Sequence, residues 1–136
     1  MEEEKIKALS KFLECAVDDL IICGYDEDVL KYGCEEYLVL SDDEADERAR
    51  EYILDSIWAF NPDFIAGHTK PGFEIVDLIK EYQKKCESAN EGLKALIEDL
   101  DYFIDDAISS DGRGHFISAY DGDENEEGEY FIYRVN

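Results

Sequence analysis

With 136 residues, 45% of them hydrophobic and 16 of them Phe or Tyr, the chain has enough apolar material for one domain with a real core, and its 36% charge does not imply disorder. Its 36 acids against 13 bases give a formal net charge of −23, which excludes nucleic acid as a direct ligand because phosphate binding needs Lys and Arg; a basic protein surface or a cation fits instead. No run of about 18 apolar residues is present and the chain opens Met-Glu-Glu-Glu-Lys, the opposite of a basic signal start, so the expectation is a cytoplasmic protein with no membrane span.

The acidity is uneven. Residues 1–40 carry 11 acids and 4 bases, residues 41–66 carry 8 and 2, residues 67–94 carry 5 and 5, and residues 95–136 carry 12 and 2. Cys15, Cys23, Cys34 and Cys86 form no Cys-x-x-Cys pair and lack a zinc-finger histidine. They are read as small buried hydrophobes, with no disulfide and no metal or other cofactor expected.

Along the chain, residues 3–22 have Ile6, Leu9, Leu13, Ala16, Val17 and Leu20 at helical spacing, and Gly24 ends that helix. Residues 24–33 read as a polar connection or a short helical turn, and residues 35–40 have strand composition and read as a strand. Ser41-Asp-Asp-Glu44 is a capping box that starts a helix over residues 42–60, with Ala45, Ala49, Tyr52, Ile53, Ile57 and Phe60 as its apolar stripe, stopped by Asn61-Pro62. A short helical turn and loop follow over residues 63–71, where His68 reads as a surface or capping residue. A helix then resumes over residues 73–87.

Ser88 is read as the cap of a last helix to about residue 109, with Leu93, Leu96, Ile97, Leu100, Ile104 and Ile108 on one face and Phe103 and Ala107 at its edge. Its other face carries Glu98, Asp99, Asp101, Asp105 and Asp106, a solvated face or one built to present negative charge. The final 26 residues read as a β-hairpin of residues 115–120 and 130–135, with Phe131 and Tyr133 on one face and Tyr130, Ile132 and Arg134 on the other. The expected fold is α+β, a single globular domain over residues 1–136. About four amphipathic helices pack on a small antiparallel sheet that includes the C-terminal hairpin, around a core containing Ile53, Ile57, Leu100 and Ile104.

Two stretches invite chemistry. Asp111-Gly-Arg-Gly-His115 offers amides and a guanidinium to an anion, but the order of elements is the reverse of a phosphate loop, and Gly112 also suits a helix C-cap. Arg113, His115 and Asp121 are the candidate residues of a small ligand or enzyme site there, although no nucleophile stands at a diagnostic spacing. Asp121, Asp123 and Asn125 alternate as in a calcium loop, yet Glu126 stands where glycine is needed and Ile132 where a closing Glu is needed, so a solvated loop is the expectation.

Leu40-Ser-Asp-Asp-Glu-Ala-Asp-Glu47, followed by Asp111-Gly-Arg-Gly-His115, Tyr120-Asp-Gly122 and Tyr130-Phe-Ile-Tyr-Arg134 before a terminal Asn, resembles a group of small acidic proteins encoded by bacteriophages and related mobile elements. That resemblance implies a phage origin and, through acidity, a stoichiometric inhibitor that imitates DNA to a basic host DNA-binding protein, either a restriction enzyme or a CRISPR nuclease. The candidate partner-binding residues are Asp42, Asp43, Asp46 and Glu47, then Glu98, Asp101, Asp105 and Asp106, and the loop carboxylates Asp123, Glu124, Glu126 and Glu127. The rivals are the ligand or enzyme site at the glycine turn and a non-catalytic accessory protein.

Overall fold

The computed structural model describes residues 2–136. It is an α+β fold whose helices are α1 (Glu2–Leu13), α2 (Asp42–Asp55), α3 (Pro62–Gly67), α4 (Val76–Gln83), α5 (Asn90–Leu96), α6 (Leu100–Asp111) and α7 (Arg113–Ile117). The strands are β1 (Leu20–Ile22), β2 (Val29–Tyr32), β3 (Glu35–Ser41), β4 (Asn125–Glu127) and β5 (Tyr130–Arg134). The five form one antiparallel sheet in the order β1-β2-β3-β5-β4. The chain divides into two compact units, one running up to Ala49 together with Asp111–Asn136, the other Arg50–Ser110.

The first unit is built on the sheet. β3 is central and both its faces are covered, so Tyr37, Leu38, Val39 and Leu40 are all buried, as an unbroken apolar run requires. Tyr37 and Val39 join Leu9 of α1, Leu30 of β2 and Ile132 of β5 in one apolar cluster. The expected split of β5 holds: Ile132 enters this cluster with Tyr130 packed against it, whereas Phe131 and Tyr133 lie on the opposite face, where Tyr133 is fully buried. The capping box also forms, with the Ser41 amide donating to Glu44 Oε1 at 2.9 Å and the Glu44 amide donating to Ser41 Oγ at 3.2 Å.

Several boundaries differ from the expectation. α1 stops at Leu13 because Glu14 turns left-handed (φ 56°) and the Cys15 amide reaches back to the Ser10 carbonyl at 3.1 Å, a helix stop made without glycine. Residues 20–22 and 29–32, read as helix end and connection, are instead β1 and β2. The hairpin partner of β5 is β4 rather than residues 115–120. Residues 113–117 are helical, and the two-residue turn at Gly128-Glu129 takes its positive φ (62°) from Gly128.

In the second unit, α2 ends at Asp55 and a 3-10 turn over Ile57–Ala59 carries the chain on. Asn90 holds that turn: its Oδ1 accepts from the Trp58 amide at 3.1 Å and its Nδ2 donates to the Leu54 carbonyl at 2.6 Å. Gln83 Nε2 donates to the Trp58 and Phe60 carbonyls at 3.0 and 2.7 Å. Along α2 and the turn that follows it, Ala45 and Ala49 of the first unit and Ile53 and Ile57 of the second are buried as expected, whereas Tyr52 is exposed. The expected last helix is two, α5 and α6. Ile97 is extended and bridges Thr69, the Glu98 amide donates to the His68 carbonyl at 3.0 Å, and Asp99 caps α6 by accepting from the Tyr102 amide at 3.1 Å. That break rotates the stripe, so Phe103, Ile104 and Ala107 are inward, Leu100 is half-buried and Leu96 is exposed.

Of the four cysteines only Cys23 is buried; Cys15 is half-buried, Cys34 and Cys86 are exposed, and all four are free thiols. The reading of all four as core hydrophobes is therefore corrected. Among the described residues no helix is long and apolar enough to cross a membrane. Ile57 is fully buried, so Ile57→Ala is expected to cost about 2–5 kcal/mol in urea-melt stability.

Candidate functional site

Arg113 gathers most of what the sequence marks as functional in the first unit. Gly112, at φ 87°, turns the chain out of α6, and α7 begins with Arg113. The guanidinium lies 4.6 Å from the Phe131 ring centroid. Its Nη1 donates to Asp42 Oδ1 at 2.7 Å and Asp46 Oδ1 at 2.9 Å, and its Nε donates to Glu124 Oε1 at 2.7 Å. The side chain is only 11% exposed. Asp42 and Asp46 stand one turn apart on α2, a spacing that puts both carboxylates on one side of the helix. Tyr133, buried on β5, donates its hydroxyl to the same Glu124 oxygen.

The electrostatics follow from this packing. Burial opposes the charge on Arg113, but the carboxylates of Glu124, Asp42 and Asp46 outweigh it and hold its pKa above the ordinary arginine value. Burial, reinforced by Glu124, pushes the Tyr133 hydroxyl up. A guanidinium engaged by three carboxylates and an aromatic ring is a structural clamp. Its Nε and Nη1 are taken up by carboxylates, which weighs against an anion site at the glycine turn.

The other two residues of that candidate site have separate tasks. Asp121 accepts from Ser118 Oγ at 2.8 Å and from the Asp123 amide at 3.0 Å, bonds that hold its carboxyl below the usual range. His115 is exposed, its ring edge-on to Phe116. Gly114 explains the second glycine of the motif: a Cβ there would stand 2.5 Å from the Gly122 carbonyl oxygen and 2.8 Å from the Asp123 carbonyl carbon, so two backbone segments pass where no side chain fits.

A second ion-pair group lies in the same unit. Lys5, 11% exposed, donates to Asp28 Oδ1 at 2.9 Å and stands 3.0 Å from Glu44 Oε1, while Arg48 Nη2 reaches Asp26 at 2.9 Å and Asp28 at 3.4 Å. For Lys5, the loss of solvation is outweighed by these carboxylates and its pKa is raised. Burial opposes ionisation of Glu44, but the Ser41 amide and Lys5 prevail and its pKa is lowered.

The proposed partner-binding residues thus separate by environment. Asp42, Asp46 and Glu124 face Arg113. Asp43 and Glu47, one turn apart on α2, are exposed, as are Asp123 and Glu126, and Glu127 lies 3.5 Å from Lys11. In the second unit Glu98 and Asp105 are exposed, Asp101 is exposed and 2.6 Å from Arg50, and Asp106 receives His68 Nε2 at 2.7 Å. Of the two readings of His68, surface or capping, the capping one holds, since it is the C-cap residue of α3, and the surface one is corrected: its side chain is 7% exposed, and the ring lies about 5 Å from those of Phe64, Tyr102 and Phe103. Among the described residues no group of three or more His, Cys, Asp or Glu is arranged to hold a metal ion.

Comparison with protein-family models, with curated proteins and with solved structures finds no match to this chain.

Two predictions follow from the ion pairs. Arg113→Ala leaves three converging carboxylates without their cation and is expected to cost about 2–4 kcal/mol, below the ceiling for a fully buried pair because Asp42 and Asp46 are largely solvated. Arg113→Lys, which lacks the planar fork, is expected to recover less than half of that in urea melts. The second concerns pH. Glu44 has a folded pKa below its ordinary 4.5, so its pairing with Lys5 stabilises the protein above that pH and is lost as pH falls through the lowered value. The urea midpoint of Lys5→Met should therefore lie below that of the wild type at about pH 7, with the gap narrowing steadily on titration to about pH 3.

Proposed function

We propose that this chain is an acidic inhibitor that occupies the nucleic-acid cleft of a basic host defence enzyme, a restriction or CRISPR nuclease, in the manner implied by its resemblance to small phage proteins. The observation that carries this reading is the surplus of exposed carboxylate over cation in the first unit, which holds 23 acids and 7 bases. Lys5, Arg48 and Arg113 are already committed to internal carboxylates, so few cations remain to neutralise the surface. Asp43 and Glu47 stand about 5–6 Å apart at Cβ on one helix face, a row of like charge with no folding advantage of its own. Exposed carboxylates held on a rigid helix can stand in for phosphates before a basic cleft.

The test is competition. A DNA-binding nuclease captured from host lysate should lose bound DNA to this protein at low salt, and the effect should fade between about 0.01 M and 0.15 M salt as the Debye length shortens from about 30 to about 8 Å. Reversing Asp43, Glu47 and Glu126 together to Lys should reduce competition at least about tenfold with an unchanged melting curve, and reversing Lys80, Lys84 and Lys85 to Glu should not. Simultaneous binding of DNA and this protein to the nuclease would overturn mimicry.

A further inference from the structure

The two edges of the sheet are unlike. β4 carries Asn125, Glu126 and Glu127, polar and charged groups that discourage further pairing. β1 carries Leu20, Ile21 and Ile22, with Ile21 65% and Ile22 43% exposed, beside exposed Val17 and Tyr25. β1 pairs with β2 on one side only, Ile21 opposite Lys31 and Ile22 opposite Leu30.

The register settles which backbone groups are left over. The Cys23 amide donates to the Val29 carbonyl at 2.9 Å, so with a period of two the groups of Ile21 and Cys23 face β2 and those of Leu20 and Ile22 point away from it. The Leu20 amide closes the preceding 3-10 turn on the Val17 carbonyl. The Leu20 carbonyl and both backbone groups of Ile22 therefore form an open edge bordered by apolar side chains.

Charge selects the occupant. Glu14, Asp18 and Asp19 lie before the strand and Glu27 after it, all exposed, against the single base Lys31 on β2. A second copy pairing antiparallel would bring these same acids face to face, with each chain at −23. We infer that β1 is a docking edge for an extended segment of a partner protein, apolar in its middle and carrying Lys or Arg at both ends, added as a sixth strand. This surface is distinct from the acidic face of α2, and its test involves no nucleic acid.

The probe is a labelled nine-residue peptide of alternating Val and Thr with two lysines at each end, titrated against the full chain by fluorescence anisotropy. Binding is expected, with slowed exchange of the Ile22 amide on addition of peptide. N-methylation of alternate peptide amides, which leaves the protein untouched, should weaken binding about tenfold or more, as should Ile22→Pro, whose missing amide points outward. Asp18→Lys with Glu27→Lys should shift preference to a peptide with glutamates at its ends. No binding at about 1 mM peptide, or equal affinity for the N-methylated peptide, would overturn the inference. So would a wild-type dimer that Ile22→Pro converts to monomer, since the edge would then belong to a second copy.

Discussion

The constraint on which the first unit depends is the enclosure of one guanidinium. Arg113 is nearly buried, and a buried charge is tolerated only when it is paired and hydrogen-bonded on its available sides. Meeting that requirement places the N-terminal turn of α2, the start of α7 and the loop before β4 around a single point, with Phe131 of β5 beneath it. The two sequence stretches that meet here lie around residues 40–47 and 111–134. Their acidity and their glycines share a cause: the carboxylates surround the arginine, and Gly114 lets the loop come close enough for Glu124 to reach it.

This sorts the carboxylates by role. A chain with so large a negative charge repels itself, and part of that repulsion is removed where Lys5, Arg48 and Arg113 each serve more than one acid. What remains outside, on the far side of α2 and on the loop before β4, is exposed charge. The second unit manages its polar groups differently. Asn90 and Gln83 satisfy the backbone where α2 gives way to a 3-10 turn, and Asp106 satisfies a histidine enclosed by aromatic rings.

The legible parts of the fold were those governed by local chemistry. The capping box, the apolar run of β3, the alternation of β5 and the buried alanines and isoleucines of α2 all depend on residues within a turn or a strand of one another. The parts missed were decided at a distance or by an unusual residue. Glu14 ends α1 in a left-handed conformation normally taken by glycine, so the periodicity that continues to Leu20 misled. Asp99 resembled one more acid on a helical face, yet it caps α6, because the Thr69 bridge draws Ile97 into an extended conformation. β4 has no apolar residue at all; it is a strand because β5 needs a partner and Gly128 supplies the turn. At the site, spacing placed Asp42 and Asp46 together, but only the tertiary fold could show that Arg113 lies against them.

The central claim is that Arg113 and its carboxylates act as one unit that holds the first unit's elements in place. The most direct measurement is a double-mutant cycle between Arg113→Met and Glu124→Gln, read by urea unfolding at neutral pH. Residues 2.7 Å apart, one of them a nearly buried guanidinium, should show a coupling of about 1–3 kcal/mol, the double variant being clearly more stable than the sum of the two losses implies. Additivity to within about 0.3–0.5 kcal/mol would mean that the contact is incidental, and that the guanidinium does not organise the fold around it.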